Sequence, residues 1–343
     1  MLTLQEIREQ YTSMGQTKEY LSGYIDTIKK ILDDNSESNM IFLGCGSSYS
    51  IAKSYAQNTM TGLKRVGLAM AAGDVLIHGD RYQAIFENAI VVAISRSGET
   101  TEIIQAVTKM REICKIQVIS IVCKENSIAS KISDLTLTMP WAFDNSVCQT
   151  RTVSCLYFAW LYIVGTLSEN QAQLAELQLV VNHGDEYIKQ WEAELEKMAA
   201  LPWNHAVVLG DAELSGVCEE GSLTFKEICQ LPSNYYHMLD SRHGPMVMIG
   251  KETLVIMPLS DHSPKLQKAL LEDLKKKGAA IIVYTNEAME LDGICNIYFG
   301  KNLSYPVMGL PFLVINQLVS YFKSGETGAN PDQPDGLAPW IQL

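Results

Sequence analysis

Short apolar strands alternate with helical segments along most of this chain, and tight polar turns follow the strands. Residues 40–43 form the first such strand and run into Gly44-Cys45-Gly46-Ser47-Ser48, after which residues 49–60 have helical spacing. A second strand at 89–94 runs into the turn at 95–100 and another helical pattern. Strands that are apolar throughout and alternate with helices are typical of parallel sheets covered on both faces. The sequence therefore predicts an α/β fold with a mainly parallel, doubly wound sheet.

The same rhythm begins again in the second half of the chain. The segment VVLGDAELSGVCEEGS compares with the earlier IFLGCGSSYSIAKSYA, since both pass from an apolar strand through Leu-Gly into a helix. This repetition indicates two copies of one module, although the two segments share few identical residues. We expect an N-terminal helical segment at 1–34, a first domain at 35–185 and a second domain at 195–343.

Composition and charge exclude several classes of protein. The 343 residues carry a formal net charge of -12, so no global positive field is available to hold a nucleic acid. Charged residues make up 19%, below the typical value of about 25%, which favours extensive burial and a homo-oligomer. The eight cysteines contain no CxxC pair, as expected for reduced thiols in the cytoplasm.

No membrane segment or leader is expected. The N-terminal residues mix acidic and basic side chains and lack the apolar core of a signal peptide. The longest apolar run, at 153–167, has 15 residues, whereas a membrane span needs about 20. We interpret this run as a buried helix. The histidines and acidic residues lack metal-ligand spacing such as HxxxH, so no metal site is expected.

The two turns after the first-half strands carry the residues expected to bind an anion. Ligands in open α/β sheets bind at the carboxyl ends of the strands, where helix N-termini present N–H groups. Gly98 permits close approach of the backbone, and the Arg96 guanidinium offers a bidentate contact. The hydroxyls at these turns come from Ser47, Ser48, Ser95, Ser97 and Thr100. Two such turns in one crevice would form a phosphate cradle.

A dinucleotide site is the competing interpretation of the first turn. The fingerprint GxGxxG requires a third glycine, and Tyr49 stands at that position. The acidic residue expected about 20 positions later is not obvious, and no GxxxxGK[ST] motif is present. A phosphomonoester fits the turns better than a nucleotide.

CGSS followed by SRSGET resembles the sugar isomerase (SIS) domain family. The tandem arrangement resembles the isomerase portion of glucosamine-6-phosphate synthase and its relatives, which include fructosamine-6-phosphate deglycases. The resemblance covers nearly the whole chain from about residue 35. It implies phosphate binding by Ser47, Ser48, Ser95, Ser97 and Thr100. Arg96 stands where the synthase has glutamine, and its guanidinium could bind the phosphate or a carboxylate on an amino acid substituent of the substrate. The resemblance also implies that Gly46, Val147 and, by a weaker transfer, Gln149 contact the sugar.

The second half strengthens the resemblance. The segment from Glu220 to Glu227 resembles the family's EGxLxxKE element, and the HGP that begins at His243 lies 16 positions after Glu227. The resemblance implies that Glu227 moves a proton between C1 and C2, that His243 assists ring opening and that Glu220 contacts substrate. A partly desolvated carboxylate and an imidazole suit these tasks.

Two departures from the synthase bear on the reaction. Neither the glutaminase domain nor its N-terminal cysteine is found, so glutamine is not an expected source of ammonia. Pro339 stands where the synthase has the lysine that forms a Schiff base with the ketose. A substrate that already carries an amine needs no such lysine. This favours a fructosamine-6-phosphate deglycase, with no cofactor.

Several alternatives stay open at this stage. A glucosamine-6-phosphate deaminase or isomerase would use the same residues. SIS modules also serve as phosphosugar sensors without catalysis, although no helix-turn-helix segment accompanies this chain. A dinucleotide-dependent oxidoreductase is the third hypothesis. For the enzyme, the resemblance further implies a cytoplasmic homodimer whose active sites are shared between subunits.

Overall fold

The computed structural model describes residues 1–339, which form two compact units. The N-terminal unit comprises Glu9–Asn145 and Gln149–Ala175, together with Ala338 and Pro339. The remaining segments, Met1–Arg8, Ser146–Cys148 and Glu176–Leu337, form the C-terminal unit. Each unit contains one five-stranded sheet.

Every pairing in the sheet of the N-terminal unit is parallel, and the strands lie in the order β2-β1-β3-β4-β5. The strands are β1 (Met40–Gly44), β2 (Gly67–Ala71), β3 (Ile90–Ser95), β4 (Gln117–Val122) and β5 (Leu135–Thr138). Nearly every residue of β1, β3 and β4 is buried, as expected for strands covered on both faces.

Helices cover both faces of this first sheet. They are α1 (Leu2–Ser22), α2 (Ile25–Asp34), α3 (Ser47–Asn58), α4 (Ala72–His78), α5 (Gln83–Phe86), α6 (Thr101–Ile113), α7 (Ile128–Lys131) and α8 (Arg151–Leu167). Leu43 belongs to the core formed with α4 and α6. The preceding residue, Phe42, contacts Tyr55 of α3 and Trp160 of α8 with ring centroids 5.7 and 5.0 Å apart. Because side chains alternate along a strand, α3 and α8 cover the other face.

The sheet of the C-terminal unit is also parallel, in the order β10-β9-β8-β6-β7. Its strands are β6 (His205–Leu209), β7 (Ser233–Tyr236), β8 (Thr253–Pro258), β9 (Ala280–Thr285) and β10 (Cys295–Tyr298). Counted along the chain, the first strand lies between the second and third in both units. This shared order confirms the α/β fold with two modules.

The helices of the C-terminal unit repeat the first layout. They are α9 (Gln171–Ala199), α10 (Ser215–Ile228), α11 (Pro264–Lys277) and α12 (Tyr305–Thr327). Val283 of β9 packs in the core with α11, whereas the next residue, Tyr284, contacts Phe312 of α12. Gly221 of α10 lies against Asn316 of α12. Consequently α10 and α12 cover one face, and α11 covers the other.

Among the described residues, α12 is the only helix that is long and apolar enough to cross a membrane. In its most apolar window, 78% of the residues are buried inside the protein. This burial is typical of a core helix. The apolar run at 153–167, which was predicted to be a buried helix, lies within α8, and 14 of the 17 residues of α8 are buried.

Candidate functional site

The first predicted turn joins β1 to α3 through two glycines. Gly46 has φ of +52°, a conformation that side chains with a Cβ rarely adopt. A Cβ on Gly44 would lie 2.5 Å from the backbone carbon of Ser48, so strand and helix approach closely here. Ser47 and Ser48 occupy the first turn of α3, and each is 4% exposed. The helix therefore begins two residues before the predicted start, and both serines lie where its free N–H groups are.

The second predicted turn follows β3 and is held by its own hydroxyls. The Ser95 hydroxyl accepts the Gly98 N–H at 3.0 Å and lies 3.2 Å from the Thr100 hydroxyl. The Ser97 hydroxyl accepts the Glu99 N–H at 3.1 Å. Gly98 has φ of +62°, and a Cβ there would lie 2.5 Å from the Ser127 hydroxyl. These contacts fix the backbone ahead of α6.

The two turns lie side by side at one edge of the sheet. β1 and β3 are paired neighbours, with Leu43 opposite Ala93, and both turns leave from their carboxyl ends. Burial and the nearby Glu102 carboxylate, which belongs to the first turn of α6, raise the pKa of Cys45 in the first glycine turn to about 12. Two helix N-termini and several hydroxyls therefore meet at one edge, an arrangement that suits an oxyanion.

Arg96 is buried at this edge, with 3% of its surface exposed. One guanidinium nitrogen donates to the backbone carbonyl of Pro339 at 2.6 Å. The guanidinium carbon also lies 5.7 Å from the centroid of the Phe143 ring. The residue that was predicted to contact phosphate therefore also binds the tail segment that carries Pro339.

The two residues predicted to line the sugar site fall in different units. Val147 belongs to the C-terminal unit, where its N–H donates to the Asp332 carbonyl at 3.0 Å. Gln149 belongs to the N-terminal unit, and its buried side-chain oxygen accepts no hydrogen bond from residues 1–339. This unsatisfied oxygen is available to a ligand hydroxyl.

Glu220 and Glu227 both lie on α10, as the helical spacing predicts. Glu220 is 2% exposed, and Glu227 is half-buried. Lys226 lies between them in sequence, and its ammonium group donates to the Ser222 hydroxyl at 3.0 Å. Burial lowers the pKa of Lys226, and the neighbouring glutamates, Glu227 and Glu220 among them, oppose that shift. Several carboxylates of α10 therefore lie near one ammonium group.

His243 lies on the other face of the C-terminal sheet. It belongs to the connection from β7 to β8, where Met238 and Ile249 pack in the same core as α11. The neighbouring Arg242 pairs with Asp273 of α11 at 2.7 Å. Since α10 covers the opposite face, the packed sheet separates Glu227 from His243 within one chain.

The family model for the SIS domain matches residues 35–161 and 201–290, more than half of the chain. This chain belongs to the SIS domain family. The first matched segment contains the whole first sheet, and the second contains β6 to β9 of the second sheet. Together they include both glycine-rich turns and the Glu227 and His243 positions.

Curated relatives of this SIS protein include two glutamine–fructose-6-phosphate aminotransferases. The enzyme of Sulfolobus acidocaldarius is 25% identical over 99% of this chain and 56% of its own length. That of Pyrobaculum aerophilum is 27% identical over 99% of this chain and 57% of its own length. The chain therefore spans little more than half the length of these relatives.

Solved structures with the same fold cover almost the whole chain. Glucosamine-6-phosphate deaminase from Thermotoga maritima has a TM-score of 0.82 at 24% identity, with 100% of both chains covered. The C-terminal domain of the aminotransferase from Francisella tularensis has a TM-score of 0.85 at 18% identity, covering 97% of this chain and 98% of its own. Tagatose-6-phosphate ketose/aldose isomerase from Escherichia coli has a TM-score of 0.85 at 19% identity, covering 100% and 96%. At these identities the likeness establishes the fold.

The sequence motifs did not reveal the polar residues at the carboxyl edge of the second sheet. Asp211 and Glu213 follow β6, and Ser260 and His262 follow β8. These residues line a cavity. The available signal was the repeated pattern of strand, Leu-Gly and helix, which places the segment after Gly210 at the same position as the CGSS turn.

Proposed function

We propose that this SIS protein is an enzyme of the aldose–ketose isomerase type that acts on a phosphorylated amino sugar, most specifically a fructosamine-6-phosphate deglycase. The observation that carries the proposal is the pair of hydroxyl-rich turns, which present two helix N-termini at adjacent strand ends. Such a cradle suits the dianionic phosphate of a sugar monoester.

The reaction follows from the chemistry of a carboxylate near C1 and C2. Glu227 removes a proton from C1 of the 1-amino-1-deoxyketose 6-phosphate, and the electron pair of the broken C–H bond forms the C1=C2 double bond. The π pair of the C2 carbonyl moves to its oxygen, which takes up a proton, so that an enaminol results. Protonation at C2 then gives the C1 imine of the aldose. Water adds to this imine and releases the free amine and the aldose 6-phosphate. The nitrogen already present in the substrate replaces the imine that a lysine would otherwise supply.

The C-terminal segment that carries Pro339 favours a substrate with its own amine. Pro339 has no side-chain amine, and its carbonyl is bound by Arg96, so the backbone at this position is held by the turn after β3. A free ketose would need an imine-forming lysine, which position 339 does not provide. A glucosamine-6-phosphate deaminase would use the same cradle and base, and substrate profiling separates the two reactions.

The experiment for the proposed base is the substitution Glu227→Gln. We expect kcat to fall by about 10²–10⁴, because general acid–base catalysis contributes this range, while phosphosugar binding stays intact. The matched control Glu196→Gln changes an exposed glutamate on α9 and should leave kcat unchanged. Full activity of Glu227→Gln would contradict the assignment.

A mass-spectrometric panel identifies the reaction. The substrates are amino acid-linked fructosamine 6-phosphates, glucosamine 6-phosphate and fructose 6-phosphate. We expect release of the amino acid from the first group. Release of ammonia from glucosamine 6-phosphate alone would replace the deglycase with a deaminase. Binding of phosphosugars without any turnover would replace the enzyme with a sensor.

We propose that the active unit is a homodimer in which one chain supplies Glu227 and its partner supplies His243. The support is their placement on opposite faces of one sheet. A dimer of one Glu227→Gln chain and one His243→Ala chain then has one intact site. In that site the His243→Ala chain supplies Glu227 and the Glu227→Gln chain supplies His243. When equal amounts of the two variants exchange subunits at random, half of the dimers are mixed, and one of the two sites in each mixed dimer works. The mixture should therefore recover about a quarter of the wild-type activity. No recovery would place both residues of a site on one chain.

A further inference from the structure

The carboxyl edge of the C-terminal sheet contains a cavity of about 450 Å³. Its walls come from the turn after β6, the turn after β8 and the start of α12. From β6 the chain passes through α10 to β7, and from β8 it passes through α11 to β9 in the other direction. Ligands in open α/β sheets bind at this kind of switch point. The cavity therefore lies where the fold most often places a ligand.

A second cavity of about 720 Å³ adjoins the first. The residues common to both are Ser260, His262, Gln267, Ser304 and Tyr305. Small-molecule sites usually measure about 300–1,000 Å³, so either space accommodates a monosaccharide.

The charged side chains that line the first cavity indicate which kind of ligand it favours. Asp211 and Glu213 both line it, and its lining among residues 1–339 includes no lysine or arginine. The adjoining cavity adds Glu176, Asp261 and Glu287 against a single Lys268. The N-terminus of α11 favours an anion, but two carboxylates in the same space oppose one. A protonated amine is the complementary group.

The Asp211 carboxylate is held in place before any ligand binds. One of its oxygens accepts the Met238 N–H at 3.0 Å and lies 3.0 Å from the Nδ1 atom of His237. The Tyr235 hydroxyl lies 3.3 Å from the same imidazole ring. A carboxylate fixed by a backbone N–H and a histidine loses little freedom when it pairs with an ammonium group.

The remaining lining suits a polyhydroxylated molecule. The Ser260 hydroxyl accepts from His262 and Gln267 and can still donate, whereas the Ser304 hydroxyl donates to Glu176 and can still accept. Ser263 also lines the cavity, and Leu239 and Leu266 supply apolar surface for a ring face. Burial raises the pKa of Tyr305, so its phenol stays a hydrogen-bond donor at neutral pH. Hydroxyls, one apolar wall and an acidic end together match a sugar that carries an amine.

The cavity is far from Glu227 along α10. Asp211 and Glu213 precede the start of this helix at Ser215, and Glu227 is its penultimate residue. At 1.5 Å per residue, the helix places Glu227 about 18 Å from Ser215 along its axis. The cavity is built within the C-terminal unit and does not include the proposed base.

We propose that this cavity binds an amino sugar without a phosphate group, with the ammonium group paired to Asp211 and Glu213 and the hydroxyls bound by Ser260 and Ser304. This site goes beyond the proposed function, which concerns phosphorylated substrates held by the N-terminal unit.

The test is isothermal titration calorimetry of the full chain with glucosamine, and with glucose as the matched ligand that lacks the amine. We expect glucosamine to bind with a dissociation constant at or below about 1 mM and glucose at least tenfold more weakly. Asp211→Asn and Glu213→Gln should each weaken glucosamine binding at least tenfold. Within residues 1–339 the Glu213 side chain makes no hydrogen bond, so Glu213→Gln tests the charge without disturbing the turn. The exposed Glu196→Gln is the charge-matched control and should bind normally.

Competition separates this site from the phosphosugar site. Saturating fructose 6-phosphate and the substitution Ser47→Ala should both leave glucosamine binding unchanged. Equal binding of glucose and glucosamine, unaltered binding by both carboxylate variants, or displacement by fructose 6-phosphate would overturn the proposal. None of these results bears on the deglycase proposal, because that proposal is tested separately by measuring kcat of the Glu227→Gln variant.

Discussion

The two units share one strand order but present opposite chemistry at the same edge. After β1 and β3, the N-terminal unit carries serine hydroxyls and the buried Arg96. After β6 and β8, the C-terminal unit carries Asp211, Glu213 and His262. The shared strand order gives both units the same kind of edge, while the turn residues give the two edges different charges. A duplicated fold therefore need not carry a duplicated site.

The first and largest test compares the glycines at the ends of β1 and β6. A Cβ on Gly44 would lie 2.5 Å from the backbone carbon of Ser48, which cannot move without shifting α3. A Cβ on Gly210 would lie 2.2 Å from the Cys218 sulfur, a side-chain atom that can move without shifting the backbone. We expect Gly44→Ala to cost about 3 kcal/mol or more, measured by urea unfolding, and Gly210→Ala to cost less.

A second substitution, Cys218→Ala, tests whether the cost of Gly210→Ala comes from the contact with the Cys218 sulfur. With Cys218→Ala, the nearest remaining contact of the Gly210→Ala methyl is the Cys218 Cβ at 3.3 Å. The added methyl should then cost little relative to Cys218→Ala alone. Equal costs for Gly44→Ala and Gly210→Ala, with no rescue, would show that the two strand–helix junctions are packed alike.

The second test compares the first helical turns of α3 and α10. Ser47 and Ser215 are the first residues of these helices in the two units. We expect Ser47→Ala to raise KM for the phosphosugar about tenfold, the effect of losing one hydrogen bond to a charged group. Ser215→Ala should leave KM unchanged in the same steady-state assay. If both substitutions raise KM equally, the division of labour between the units fails.

The sequence predicted the central strands well because they are continuous apolar runs that are buried on both faces. It missed the edge strands β2, β7 and β10, which are only partly buried and have four or five residues. It also could not place His243 opposite Glu227, because a spacing of 16 residues does not show which face a connection crosses. The acidic cavity was missed because Asp211 and Glu213 form no known motif, although the repeat of strand, Leu-Gly and helix marked the turn that carries them.

The third test concerns the guanidinium group of Arg96, at the carboxyl edge of the sheet in the N-terminal unit. Arg96→Gln removes the hydrogen bond to the Pro339 carbonyl. We expect a loss of about 1 kcal/mol in the free energy of unfolding, typical of one hydrogen bond. In a chain that ends at Ala338, the same substitution should have a smaller effect, since the acceptor is gone. Additive losses would show that Arg96 stabilises the turn without the tail.

The smallest expected effect concerns how each unit caps a helix with a carboxylate. In the N-terminal unit, the buried Asp144 accepts the N–H groups of Thr150 and Thr152 at the start of α8. In the C-terminal unit, the less buried Asp332 accepts the N–H groups of Leu2 and Thr3 at the start of α1. Burial acts to raise the pKa of Asp332, but these hydrogen bonds and the N-terminal ammonium group outweigh it and lower the pKa.

A lowered pKa in the folded state means that the Asp332 cap stabilises the protein above the pKa of the unfolded chain, near 4, and is lost as the pH falls further. We expect Asp332→Ala to cost about 1 kcal/mol at pH 7 and progressively less below pH 4, measured by urea unfolding across that range. Asp144→Ala should cost more at pH 7, because it leaves two buried N–H groups without an acceptor. A difference between Asp332→Ala and wild type that does not change with pH would assign the effect to packing of the tail rather than to its charge.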